Sequence, residues 1–158
     1  MAKIQIARID FRLIHGQVAT KWLKMYPAKK VVIVDDALSQ DDFMADIYSM
    51  AAPSGVKVEI TDVASVKKRL EEISSTVFLL FKDIETCCRT MKEGVTYGNL
   101  VVGGVPSEAG KSLVFSGVYL NQEEYKKLQE LQESGITVTA QSTPDDTKMS
   151  LEQIGKKL

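Results

Sequence analysis

The sequence predicts an α/β protein built on an open, mostly parallel β-sheet of roughly seven strands with helices on both faces. Two observations predict it. Short β-branched apolar runs recur along the chain, and most are separated by one amphipathic stretch that opens on a helix-capping residue. The runs are Ile4 to Ile9, Val31 to Val34, Val56 to Ile60, Thr76 to Phe81, Leu100 to Val102, Leu113 to Tyr119 and Ile136 to Thr139.

The first run leads through the loop Asp10 to Gln17 into a helical stretch holding Val18, Trp22 and Leu23, and the second ends at Asp35-Asp36. Asp62 stands before Val63, Val66 and Leu70, the spacing of one buried helix face, and Asp83 opens the stretch that ends near Gly94. Asn121 with Glu124 spells a capping box for a helix ending at Gly135. Gly103 to Lys111 has no helical period and reads as a loop between two strands. No repeat or linker divides the chain, so one domain over 1–158 is expected, and no unmatched apolar helix face stands out to fix an oligomeric state.

Composition narrows the function. The chain is 44% hydrophobic and 26% charged with a formal net charge of -1, and its Lys and Glu are interspersed, which is not the one-sided basic field of a nucleic-acid binder. Its longest apolar runs, such as Val77 to Phe81, are strand-sized, far short of the roughly 20 residues of a membrane helix. The amino terminus enters strand alternation without a secretory leader pattern. Cys87 and Cys88 are adjacent on an expected helix, where mutual disulfide geometry is rarely met, and read as small buried residues in a reducing compartment.

In an open α/β sheet, ligands sit beyond the carboxyl ends of the strands, so chemistry is sought in those loops. The first gathers Arg8, Asp10, Arg12 and His15, the chain's only histidine, before Gly16 and Gln17 lead into a helix. An imidazole nitrogen, cationic groups and helix N-terminal N–H donors are what phosphate carriage needs. Gly16 would admit close approach or an unusual backbone angle.

Two further clusters are weaker. Gly104 to Ser112 ends in Gly-Lys-Ser like a phosphate-binding loop, but Val105 stands where that motif needs glycine, and a strand follows where it needs a helix. Asp35, Asp36, Asp41 and Asp42 could hold a divalent metal on charge alone; carboxylates so placed more commonly cap helices. One of them could also orient the imidazole or an arginine.

The segment Arg8-Ile9-Asp10-Phe11-Arg12-Leu13-Ile14-His15-Gly16-Gln17-Val18, followed by Trp22, resembles the active-site signature of mannose-family IIB proteins of the bacterial sugar phosphotransferase system. The similarity continues through Asp35-Asp36, Ala52-Pro53, Gly103-Gly104 and the Gly135 to Pro144 segment, with Phe11 standing where that family commonly has an acidic or small polar residue. The resemblance implies a cytoplasmic protein, peripherally associated with its transporter, in which His15 accepts phosphate at Nδ1 from a phosphohistidine of the IIA component. His15 would then pass it to a sugar presented by the membrane IIC and IID subunits. It implies Arg12 as the phosphate clamp, Asp10 and Arg8 as loop-ordering residues, Gly16 and Gln17 at the phosphate, Gly103-Gly104 lining the pocket, and no metal or cofactor.

Overall fold

The computed structural model describes residues 1–158 and has a seven-stranded sheet in the order β3-β2-β4-β1-β5-β8-β9. Its strands are β1 (Lys3–Asp10), β2 (Lys30–Val34), β3 (Lys57–Thr61), β4 (Thr76–Phe81), β5 (Asn99–Gly104), β8 (Thr137–Ala140) and β9 (Met149–Ser150), and every pairing is parallel except that of β9 with β8. The central strands are buried on both faces, which is why they read as unbroken apolar runs rather than as alternation.

The helices are a π-helical turn at Val18–Trp22 that continues into α1 (Leu23–Met25), then α2 (Asp42–Ala51), α3 (Val63–Glu72), α4 (Ile84–Lys92), α5 (Gln122–Glu133) and α6 (Leu151–Gly155). Asp41, Asp62, Asp83 and Asn121 each accept the backbone N–H of the residue three further on, the caps of α2, α3, α4 and α5.

Two apolar clusters divide between the sheet faces. On one, Val66, Leu70, Cys87, Leu128, Leu131 and Ile154 of α3 to α6 meet Ile9, Leu79 and Val102; on the other, Val18, Trp22 and Leu23 meet Ile6, Phe78, Leu80 and Val101, with Tyr48 of α2 at the edge. The split follows from handedness. From β1 to β3 the chain steps one way across the sheet, and from β3 to β8 it steps back, so right-handed crossovers put the two sets of helices on opposite faces.

Two sequence expectations change. Leu113 to Tyr119 is not one strand of the main sheet: Gly117, at φ 75°, turns it into a hairpin of β6 (Ser112–Phe115) and β7 (Val118–Leu120) that forms its own two-stranded sheet. The seventh strand is instead β9, which the sequence does not announce. The expected loop from Gly103 also starts later, because both glycines belong to β5 and Val105 still bonds to Gly117 and Tyr119.

The expectation about helix faces is corrected as well. Helix α2 has no buried residue, and Phe43 and Met50 are 73% and 81% exposed. No helix of the chain is long and apolar enough to cross a membrane.

Candidate active site at the carboxyl end of the first strand

Strand alternation puts Arg8 and Asp10 on the same face as Ile6, under the first helix, at the point where β1 lies between β4 and β5. Both side chains are fully buried. Arg8 donates from Nη1 to the Gln141 carbonyl at 3.0 Å and from Nη2 to the Ser142 carbonyl at 3.1 Å and Asp10 at 3.4 Å. Its Nε–H has no hydrogen-bond partner, and its guanidinium lies 4.7 Å from the centroid of the Trp22 ring, a cation–π contact. Trp22 in turn donates its indole N–H to the same Ser142 carbonyl at 2.9 Å. Burial pushes the Arg8 guanidinium down to about 10 while Asp10 pulls it up, so it is cationic at neutral pH.

Asp10 is the meeting point. Its Oδ1 accepts the Arg12 backbone N–H and Nε–H, both at 3.1 Å, and its Oδ2 accepts Arg12 Nη2–H and lies 3.1 Å from His15 Nε2. Burial works to raise this carboxyl, but the hydrogen bonds from His15 and Arg12 and the charge of Arg8 outweigh it and hold the group well below the usual carboxylate range. An ionised carboxylate only accepts, so the proton of a neutral His15 ring sits on Nε2 and the lone pair on Nδ1.

The loop reaches this geometry through a strained residue. Leu13 donates its N–H to the Asp10 carbonyl at 2.9 Å and adopts φ 57°, which costs about 1–2 kcal/mol for a residue with a Cβ. Its side chain is wholly buried in the core under the first helix, which offsets that strain and turns the chain so that His15 comes back to Asp10. The His15 carbonyl accepts the Ala19 N–H, so the helix starts at His15 and the N–H groups of Gly16, Gln17 and Val18 have no partner one turn earlier.

Placed in this frame, Arg8, Asp10, Arg12 and His15 are brought together as a contiguous network. Gly16 differs from expectation: its φ is ordinary, a Cβ there would meet open space, and the unusual angle is at Leu13. Gln17 is exposed and its side chain makes no hydrogen bond to the chain. Arg12 has its fork on Asp10, leaving Nη1 without a hydrogen-bond partner on a side chain 44% exposed.

Gly103 and Gly104 do not line an open pocket. A Cβ at Gly103 would collide with the Arg8 guanidinium, and one at Gly104 would lie 2.7 Å from Asp10 Oδ1, so these glycines make room for the buried pair. The nearest large cleft, about 450 Å³, touches the loop only through Phe11 and is lined by Val105, Pro106, Lys111, Asp83 and Asn121 among others. Gln141 and Ser142, whose carbonyls hold Arg8 and, at Ser142, Trp22 as well, carry no side-chain signal in the sequence because they act through the backbone; the resemblance through Pro144 is the one pointer to them.

The other candidates are occupied elsewhere. Lys111 is nearly buried between Glu108 and Glu124. Asp35 caps the turn at Leu38, and Asp36 accepts the Val63 N–H and pairs with Arg89, which together hold its carboxyl below its usual range. None of these aspartates contacts His15 or Arg12. Burial pushes both thiols up, Cys87 strongly despite its hydrogen bond with the Tyr97 hydroxyl, which pulls the other way.

Comparisons with known proteins agree on one relationship. Residues 4–158 match the family model described as the PTS system sorbose subfamily IIB component. The chain is 29% identical over 159 residues to the fructose-specific EIIB component of Bacillus subtilis, covering 98% of this chain and 96% of that one. It is 30% identical to the mannose-specific EIIAB component of Escherichia coli, of which it spans 49% while 98% of this chain is covered. The crystal structure of manxB from Thermoanaerobacter tengcongensis superposes with a TM-score of 0.93 at 42% identity, over 99% of this chain and 97% of that one.

Two measurements probe the network. Gly103→Ala is expected to displace Arg8 from its carbonyls and lower stability by roughly 3–5 kcal/mol in urea unfolding, whereas Gly16→Ala stabilises by about 0.5 kcal/mol. Because the Asp10 carboxyl is lowered in the folded state, its contribution is fully present above the ordinary carboxylate range and is lost as pH falls below it. Wild-type stability is therefore expected to fall more steeply below about pH 4 than that of Asp10→Asn; parallel acid-unfolding curves would contradict this.

Proposed function

Since the chain belongs to the sorbose-subfamily IIB components of the sugar phosphotransferase system, we propose that His15 is its phosphoryl carrier. It accepts the group from a phosphohistidine of a IIA partner and passes it to a sugar held by membrane IIC and IID subunits. The observation that carries this reading is the contact of His15 Nε2 with the ionised Asp10 carboxylate, which leaves Nδ1 with its lone pair.

In the first transfer, Nδ1 attacks phosphorus as the nitrogen–phosphorus bond of the IIA phosphohistidine breaks. Positive charge that develops on the His15 ring is met at Nε2–H by Asp10. With Arg8 and Arg12 cationic and Asp10 anionic, the resting constellation has one surplus positive charge, which favours arrival of a dianionic phosphoryl group. The unpartnered N–H groups at the start of the helix supply donors beside it, with exposed Gly16 and Gln17 leaving room. Arg12 is the clamp: its Nη1 is free of partners within the chain, and the new dianion competes with Asp10 for its fork.

In the second transfer the phosphorus–Nδ1 bond breaks as a sugar hydroxyl oxygen bonds to phosphorus and releases its proton. None of the four network residues lines the adjoining cleft, so sugar binding is assigned to the membrane subunits. Relatives of near-equal similarity that carry fructose in one name and mannose in the other support placing sugar choice outside this chain. The mannose relative, an EIIAB component, supports a IIA domain as the donor. The protein would act at the cytoplasmic side of that complex.

The test is uptake of phosphate from a phosphorylated IIA partner. Wild type is expected to take up one acid-labile phosphate, His15→Gln none, and Cys87→Ser/Cys88→Ser the full amount. Retained uptake in His15→Gln, or acid-stable phosphate lost from the double serine variant, would overturn the assignment.

A further inference from the structure

The face formed by the first helical segment and α2 has an arrangement of charge and apolar surface that the phosphoryl site does not use. Phe43, Ile47 and Met50 of α2 are 73%, 36% and 81% exposed, and Met25 at the end of α1 is 56% exposed. At helical spacing, Asp42 and Asp46 lie on one flank of the Phe43–Met50 stripe. Residues 41–51 hold three aspartates and no basic residue, whereas 16–30 hold Lys21, Lys24, Lys29 and Lys30 and no acidic one; Lys30 pairs with Glu59 at 3.0 Å and Lys21 with exposed Asp145 at 3.6 Å, while Lys24 and Lys29 have no ion-pair partner in the chain. Both helices cover the same face of the sheet, and a groove of about 420 Å³ runs between Thr20, Leu23 and Lys24 on one side and Pro53 and Val56 on the other.

We infer that this face joins two copies of the chain in a two-fold dimer, the acidic α2 of each lying against the basic first helix of the other. In a two-fold interface a patch meets itself rotated, so it must be self-complementary. An acidic apolar helix beside a basic one meets that requirement twice over, and the exposed Phe43, Met50 and Met25 supply the apolar centre. The aspartate flank makes the same stripe a poor fit to an anionic bilayer. The first helix runs from His15 toward the opposite end of the sheet, so the histidine loop lies at the rim of this face.

Sedimentation velocity from about 1 μM to about 1 mM tests the inference. The weight-average mass is expected to rise with concentration from the 17.5 kDa of one chain toward twice that value. Asp42→Lys/Asp46→Lys and Lys21→Glu/Lys24→Glu alter exposed side chains, the one ion pair lost within the chain being that of Lys21 with exposed Asp145, and each variant alone is expected to self-associate at least about tenfold more weakly. Mixed together they restore a dimer, because every like-charged contact becomes opposite. A wild type that stays monomeric throughout, a dimer indifferent to both variants, a mixture that fails to associate, or recruitment to phosphatidylglycerol vesicles in place of self-association would each overturn the proposal.

Discussion

The buried carboxylate of Asp10 constrains everything around it, because an unpaired anion at that depth would be untenable. It is satisfied by three cationic or protic side chains, and each of those imposes a demand on another part of the fold. Arg8 needs space in the neighbouring strand, which Gly103 leaves open, and it needs carbonyls, which the chain after β8 supplies. Arg12 and His15 need the loop to double back within five residues, which is achieved by the left-handed backbone of Leu13. Removing the charge would therefore loosen β1, β5 and the 141–142 turn together, although these lie far apart in sequence.

Topology decides where that carboxylate can act. The strand order reverses at β1, so the chain leaving β1 and the chain leaving β5 depart toward opposite faces and open a gap at their carboxyl ends. Alternation along β1 sends Ala7 and Ile9 into one core and Arg8 and Asp10 toward the other. A shift of one residue in register would exchange those sets and bury the wrong pair.

Legibility in the sequence varied with the kind of interaction. The parallel strands could be read because burial on both faces demands continuous Val, Ile, Leu and Phe, and the helices could be read because Asp62, Asp83 and Asn121 cap through side chains. Strand β9 could not, being two residues long and held by its pairing with Thr139 and Ala140. The β6–β7 hairpin is hidden in the sequence although Ser116-Gly117 marks its turn, because apolar residues continue on either side. Arg8, Asp10, Arg12 and His15 were legible as a cluster of residue types within one loop. That Arg12 grips Asp10, and that Gly103 serves Arg8, were not, since both depend on which backbones the sheet sets side by side.

Trp22 gives the molecule a property separate from its chemistry. It is the chain's single tryptophan, and its ring stacks on Tyr26 with the Arg8 cation 4.7 Å from its centroid. Indole emission responds to local electric fields, and here the nearest field belongs to a guanidinium bonded to the carboxylate that holds the histidine. A change of charge on the imidazole is therefore relayed over three contacts, His15 to Asp10, Asp10 to Arg8 and Arg8 to the indole, so the protein carries a built-in optical readout of the state of its own reactive loop.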